Sequence, residues 1–132
     1  MKVLAIDYGL ANIGIAYGDS LSGIAFPLEV IKNNDLALKH IRELSKKRGI
    51  DLILVGKPYR ADGSPGSIDV DIEDFIDQLL LLGPEIATLS ERYTSKMAQA
   101  KLQELALKKK DRQQPIDDLA AQIMLQEWLE TC

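Results

Sequence analysis

The chain has 132 residues, 46% of them hydrophobic and 27% charged, with a net charge of −4 and one cysteine, Cys132. This length suits a single domain over 1–132, and the composition excludes a chain too polar to collapse. One cysteine excludes an internal disulfide and a cysteine metal site. The longest purely apolar stretch, Leu79–Leu82, is far below the ~20 residues that span a bilayer, and Asp7 cuts short any N-terminal secretory run. A cytoplasmic protein without membrane contact is the expectation.

Taken in chain order, Lys2 to Asp7 reads as a buried strand, since Val3, Leu4, Ala5 and Ile6 form a short apolar run ending near Gly9. Ile13, Ile15 and Tyr17 alternate with smaller residues, and a third extended run covers Ile24 to Ile31 beyond the turn residues Gly18-Asp19-Ser20 and Ser22-Gly23. The three make an antiparallel meander. Pro27 assigns the third strand to an edge or a bulge, where its missing N–H does no harm.

From Asn34 the period becomes helical. Asn34 or Asp35 is the expected cap, Ala37, Ile41 and Leu44 share a face, and Gly49 is the stop. Leu52 to Val55 is a second buried strand of the continuous kind, followed by the turn-rich segment Tyr59 to Ser67. The next helix carries Ile72, Phe75, Ile76 and Leu79 on one face, has Asp69, Asp71, Glu73 and Asp74 near its positive end, and stops at Gly83-Pro84.

Glu85 to Ser90 forms a fifth strand, and Thr94 caps a helix bearing Met97, Ala98, Leu102 and Leu105. Lys108 to Gln114 makes a basic loop, and a last helix begins at about Pro115. The order implies an α/β fold: a mixed five-stranded sheet, three antiparallel strands and then two parallel ones, with helices on its faces.

Charge is segregated along the chain. Arg60 to Glu85 holds seven acids and one base, whereas Arg92 to Arg112 holds seven bases and two acids. The basic half could face a polyanion despite the negative total, or serve simply as a solvated helix face and loop.

Three carboxylates stand out. Asp7 ends a buried strand, and open α/β sheets keep their ligand sites at the carboxyl ends of strands. Glu91 follows the fifth strand and reaches the same edge if that strand runs parallel to the first; an ion pair with Arg92 is its local alternative. Asp117 shares a helical stripe with Ala121, Met124, Leu125 and Trp128, so it must be hydrogen-bonded, neutralised or metal-bound there. Oxygen ligands of this kind suit Mg²⁺ or Mn²⁺, and the one histidine, His40, cannot build a zinc site.

Four blocks, Asp7-Tyr8-Gly9-Leu10-Ala11-Asn12-Ile13-Gly14, Gly56-Lys57-Pro58 with Asp62-Gly63, Glu91-Arg92-Tyr93-Thr94-Ser95, and Ile116-Asp117-Asp118-Leu119-Ala120-Ala121, resemble in order and spacing the YqgF family of Holliday-junction-resolvase-like nucleases of precursor 16S rRNA. The resemblance implies an RNase H-like fold, Asp7, Glu91 and Asp117 as catalytic, metal-holding acids, and hydrolysis of phosphodiester bonds at the 5′ end of precursor 16S rRNA. This chain departs from the family pattern at Ala11-Asn12, where a Lys-Arg pair is usual, and at Ser90, where an aspartate is usual. These changes keep open, as an alternative, a catalytically weak nucleic-acid-binding or ribosome-assembly module, and the implied fold keeps open a Holliday junction resolvase. Lys57, Arg60, Arg92, Lys96, Lys101, Lys108, Lys109, Lys110 and Arg112 are the expected phosphate contacts, to structured RNA rather than branched DNA, in a monomer or weak homodimer.

Overall fold

Alternation along the first strand decides the architecture. In β1 (Lys2–Tyr8), Val3 and Ala5 point to one side of the sheet and Leu4 and Ile6 to the other, and all four are fully buried. A strand with both faces covered must sit inside a sheet flanked by helices. The computed structural model describes residues 1–57, 67–90 and 116–131, with the backbone alone at 57, 67–70, 90 and 116–119.

β1 pairs antiparallel with β2 (Asn12–Asp19), which pairs antiparallel with β3 (Ile24–Lys32). On its other side β1 runs parallel to β4 (Leu52–Lys57), and β4 runs parallel to β5 (Glu85–Ser90). The sheet order is β3-β2-β1-β4-β5. This is the mixed sheet that the strand pattern predicts.

Pro27 lies both at the edge and at a bulge. Ile15 faces Glu29 and Ala16 faces Pro27, so Leu28 is the extra residue of β3. Two glutamines of α3 (Ile116–Glu130) cover the outer side of this edge strand. Gln126 Oε1 accepts the Ala25 N–H at 2.9 Å, Gln126 Nε2 donates to the Gly23 carbonyl at 2.8 Å, and Gln122 Nε2 donates to the Ala25 carbonyl at 3.2 Å. An edge treated in this way offers less backbone to another strand.

α1 (Ala37–Arg48) and α2 (Ser67–Leu79) pack on one face of the sheet, where Ile41, Ile72, Phe75, Ile76 and Leu79 meet Leu4, Ile6, Ile53 and Val55. α3 covers the other face with Ala121, Met124, Leu125 and Leu129 over Val3, Ala5, Leu52 and Leu54. Each large apolar side chain removed from water here contributes roughly 1.5–3 kcal/mol.

Two helix boundaries differ from expectation. α1 has Leu36 at its N-cap, with no side-chain cap. Asn34 Oδ1 instead accepts the Leu36 N–H at 2.9 Å, so its capping capacity is used one turn early. The stop at Gly49 is as expected: φ is 62°, and the Ile50 N–H closes on the Ser45 carbonyl at 2.9 Å. α2 ends at Leu79 and tightens into a short 3-10 turn, Leu80–Leu82, before Gly83.

Candidate active site

Asp7 is the penultimate residue of β1, half-buried, on the side of the sheet that carries Val3 and Ala5. Its partner on β2 is Gly14 and its partner on β4 is Gly56. Cross-strand partners share a face, so the carboxylate rises between two residues that present no side chain. Asp7 is thus flanked on this face, at the carboxyl ends of β1 and β4, by two positions without a side chain.

The register continues outward. Gly56 faces Leu89 and Lys57 faces Ser90, the last residue of β5. Three parallel strands therefore end at one edge of the sheet. Glu91 is the residue after Ser90 in sequence and itself lies outside the described residues.

The seating of α3 fixes the remaining position. A Cβ built on Gly18 would lie 2.9 Å from Leu129 Cδ1 and 3.1 Å from Leu125 Cδ2, so the C-terminal half of α3 lies against Gly18. Gly18 faces Val3 at the start of β1. Gln122 reaches Ala25, and Gln126 reaches further back to Gly23, so α3 runs antiparallel to β1. The N-terminal end of α3, and with it the backbone of Asp117, therefore lies toward the end of the sheet where β1 carries Asp7.

The rim beyond Asp7 is the turn joining β1 to β2. Gly9 is obligatory in it, because a Cβ there would sit 2.5 Å from the Asn12 carbonyl oxygen. Asn33, just past β3, donates from Nδ2 to the Gly9 carbonyl at 2.8 Å and from its backbone N–H to the Ala11 carbonyl at 3.0 Å. On the opposite face a polar groove runs between Tyr8, Asn33, Asp71 and Asp74, with the Tyr8 ring against that of Phe75 at 5.0 Å between centroids. Sequence reading missed Asn33, whose partner lies 24 residues away. Gly14 and Gly56 do carry a local signal, a glycine inside an otherwise apolar strand.

Among the nine basic residues expected at phosphates, Lys57 ends β4, with its backbone alone described. Arg60, Arg92, Lys96, Lys101, Lys108, Lys109, Lys110 and Arg112 lie outside the described residues. Among the described residues no three carboxylate, imidazole or thiol side chains gather around one point; of the three acids, Asp7 is the one whose side chain is described. His40 hydrogen-bonds Glu29 on the β3 side of α1. No described helix is long and apolar enough to cross a membrane.

The model of the RuvX family, described as Holliday junction resolvase, matches residues 1–131. The chain belongs to the RuvX family. A relative from Christiangramia forsetii is 35% identical over 132 residues, covering 97% of both chains, and one from Amoebophilus asiaticus is 38% identical over 134 residues, covering 98% of this chain and 94% of its own. Each carries the name "Putative pre-16S rRNA nuclease". Among solved structures, Thermus thermophilus RuvC in complex with a Holliday junction substrate superposes with a TM-score of 0.64 at 17% identity, covering 99% of this chain and 94% of that one. The fowlpox virus Holliday junction resolvase gives 0.59 at 16%, with both chains fully covered. At such identities the likeness speaks to fold, and the fold of this RuvX member is RNase H-like, the fold of RuvC-like resolvases. Family and relatives together support a nuclease, a hydrolase acting on nucleic acid.

Proposed function

We propose that this RuvX protein is a divalent-metal-dependent endonuclease that trims the 5′ end of precursor 16S rRNA in the cytoplasm, acting as one domain across 1–132, as a monomer or weak homodimer. Asp7, Glu91 and Asp117 are its metal-holding acids. The observation that supports this most is the antiparallel seating of α3 on the sheet, which turns its N-terminal end, with position 117, toward the end of the sheet where β1 carries Asp7 and where β5 also ends.

The donor set fits a hard cation. Three carboxylates offer oxygen ligands, and the glycines at 14 and 56 leave room beside Asp7 for a hydrated ion. Neighbouring strands are about 4.8 Å apart, so Asp7 and the end of β5, two strands away, are within the joint reach of an aspartate and a glutamate around one or two ions. A bound divalent ion would polarise the scissile phosphate and make an attacking water more acidic. The side chains themselves hold and orient, and none needs to act as a nucleophile. The basic residues from Lys57 to Arg112 named above would then follow the phosphate backbone without reading bases.

The test is cleavage of a 5′ precursor rRNA fragment with and without Mg²⁺ by the wild type and by Asp7→Asn. Metal-dependent cutting lost in the variant supports the proposal; equal activity in the two proteins, or none in either, overturns it. The family's description as a resolvase favours a second substrate, a four-way DNA junction, and cutting of that junction in preference to the RNA would replace the first reading.

A further inference from the structure

We propose that Asn33 is a positioning residue for the hydrolytic reaction, acting through the turn between β1 and β2; this rests on the reading of Asp7 as a metal-holding acid. Asp7 is one residue pair from the turn that closes the β1–β2 hairpin, since the last pair of the ladder is Tyr8 with Ile13. A turn is held by fewer contacts than the strands it joins, so its backbone moves more readily. A carboxylate that must meet an ion and two other acids tolerates an error of only about 0.5 Å.

How still Asp7 is held therefore depends on how firmly the turn beyond it is set, and Asn33 sets it. Its Nδ2 grips the Gly9 carbonyl, two residues after Asp7, and its N–H takes the Ala11 carbonyl on the far side of the same turn. A carbonyl can only accept, which fixes the amide orientation of Asn33 with Nδ2 toward Gly9. The turn itself, Gly9-Leu10-Ala11, carries no charged or amide side chain with which to brace itself. The brace therefore comes from the residue that follows the third strand.

The isosteric change Asn33→Asp keeps the size of the side chain and removes its N–H donor, so it separates the hydrogen bond from packing. In the full chain, Asn33→Asp and Asn33→Ala are expected to lower kcat about tenfold, the effect of losing one hydrogen bond of ordinary strength. KM for the RNA fragment stays within about twofold, because the substrate contacts are elsewhere. In metal-free protein, hydrogen exchange of the Asn33 backbone N–H speeds several-fold in both variants. Asn33→Gln, with the amide on a longer stem, recovers part of the lost kcat. Wild-type kcat or unchanged exchange in Asn33→Asp overturns the inference, as does a loss of activity matched by loss of the thermal transition in all three variants. An active Asp7→Asn marks the distinct failure of the underlying metal reading, and this inference falls with it.

Discussion

Gly18 of β2 and Leu129 of α3 are in such close contact that one added methyl group on the glycine would come within 2.9 Å of the leucine Cδ1. Ile24 O, at 3.0 Å, closes the other side with backbone. Gly18→Ala therefore forces α3 or β3 to move, and its expected cost is about 1–3 kcal/mol. Denaturant titration should show a lower midpoint with an unchanged slope, and an unchanged midpoint would mean that the helix seats less tightly than described.

Removing the proposed metal-holding charge acts on chemistry rather than on folding. Asp7→Asn should lower the cleavage rate by more than about 100-fold, the upper range for loss of even an outer-shell partner of a metal site, with little change in thermal stability. Chelation should abolish wild-type activity, and Mg²⁺ or Mn²⁺ should restore it. Cleavage that persists in excess chelator would refute the assignment.

A side chain added beside Asp7 is a sharper probe of whether the glycines there matter. Gly56→Val places a branched side chain next to Asp7 on a strand that favours such residues. The expected outcome is a folded protein, by circular dichroism, with cleavage reduced about tenfold or more through displacement of the substrate or ion. Full activity in a folded Gly56→Val variant would show that nothing needs the space.

The glutamine cover on β3 predicts an association phenotype. With Gln122→Ala and Gln126→Ala combined, the Ala25 N–H and carbonyl lose their side-chain partners, and the edge becomes available to a second strand. Analytical ultracentrifugation should detect more self-association than in the wild type, and identical sedimentation would indicate that Pro27 and the bulge already protect the edge.

Asp19 gives a pH signature. The Leu21 N–H, first, and then the N-terminal ammonium hold its carboxyl below the ordinary value of 3.8. A carboxyl depressed on folding contributes stability that is present above its unfolded pKa and is lost as pH falls through its folded one. Wild-type stability should therefore fall more steeply below about pH 4 than that of Asp19→Asn, and parallel acid limbs would remove Asp19 from the account.

Much of the fold was legible because its signals are local. The run Val3 to Ile6, the proline in β3 and the glycine at 49 each mark a strand or a stop by their own chemistry. The start of α1 was not, since Asn34 could cap the helix or the turn before it, and only the folded backbone distinguishes the two. α3 was read as one apolar stripe, yet Ile123, turned away from Leu125, is buried as well. In the site, Asp7 could be picked out from its place at a strand end. That α3 turns its N-terminal end toward the same end of the sheet could not, because this depends on how the helix seats on β2 and β3, through Gly18 and Ala25, about a hundred residues away in sequence. Asn33 was invisible for the same reason.

The first strand and the last helix of this fold complete one another. During synthesis, β1 and its acid are made early, whereas the helix that covers Val3 and Ala5 is made a hundred residues later. A nascent chain thus leaves that apolar surface uncovered until α3 has been made and can dock.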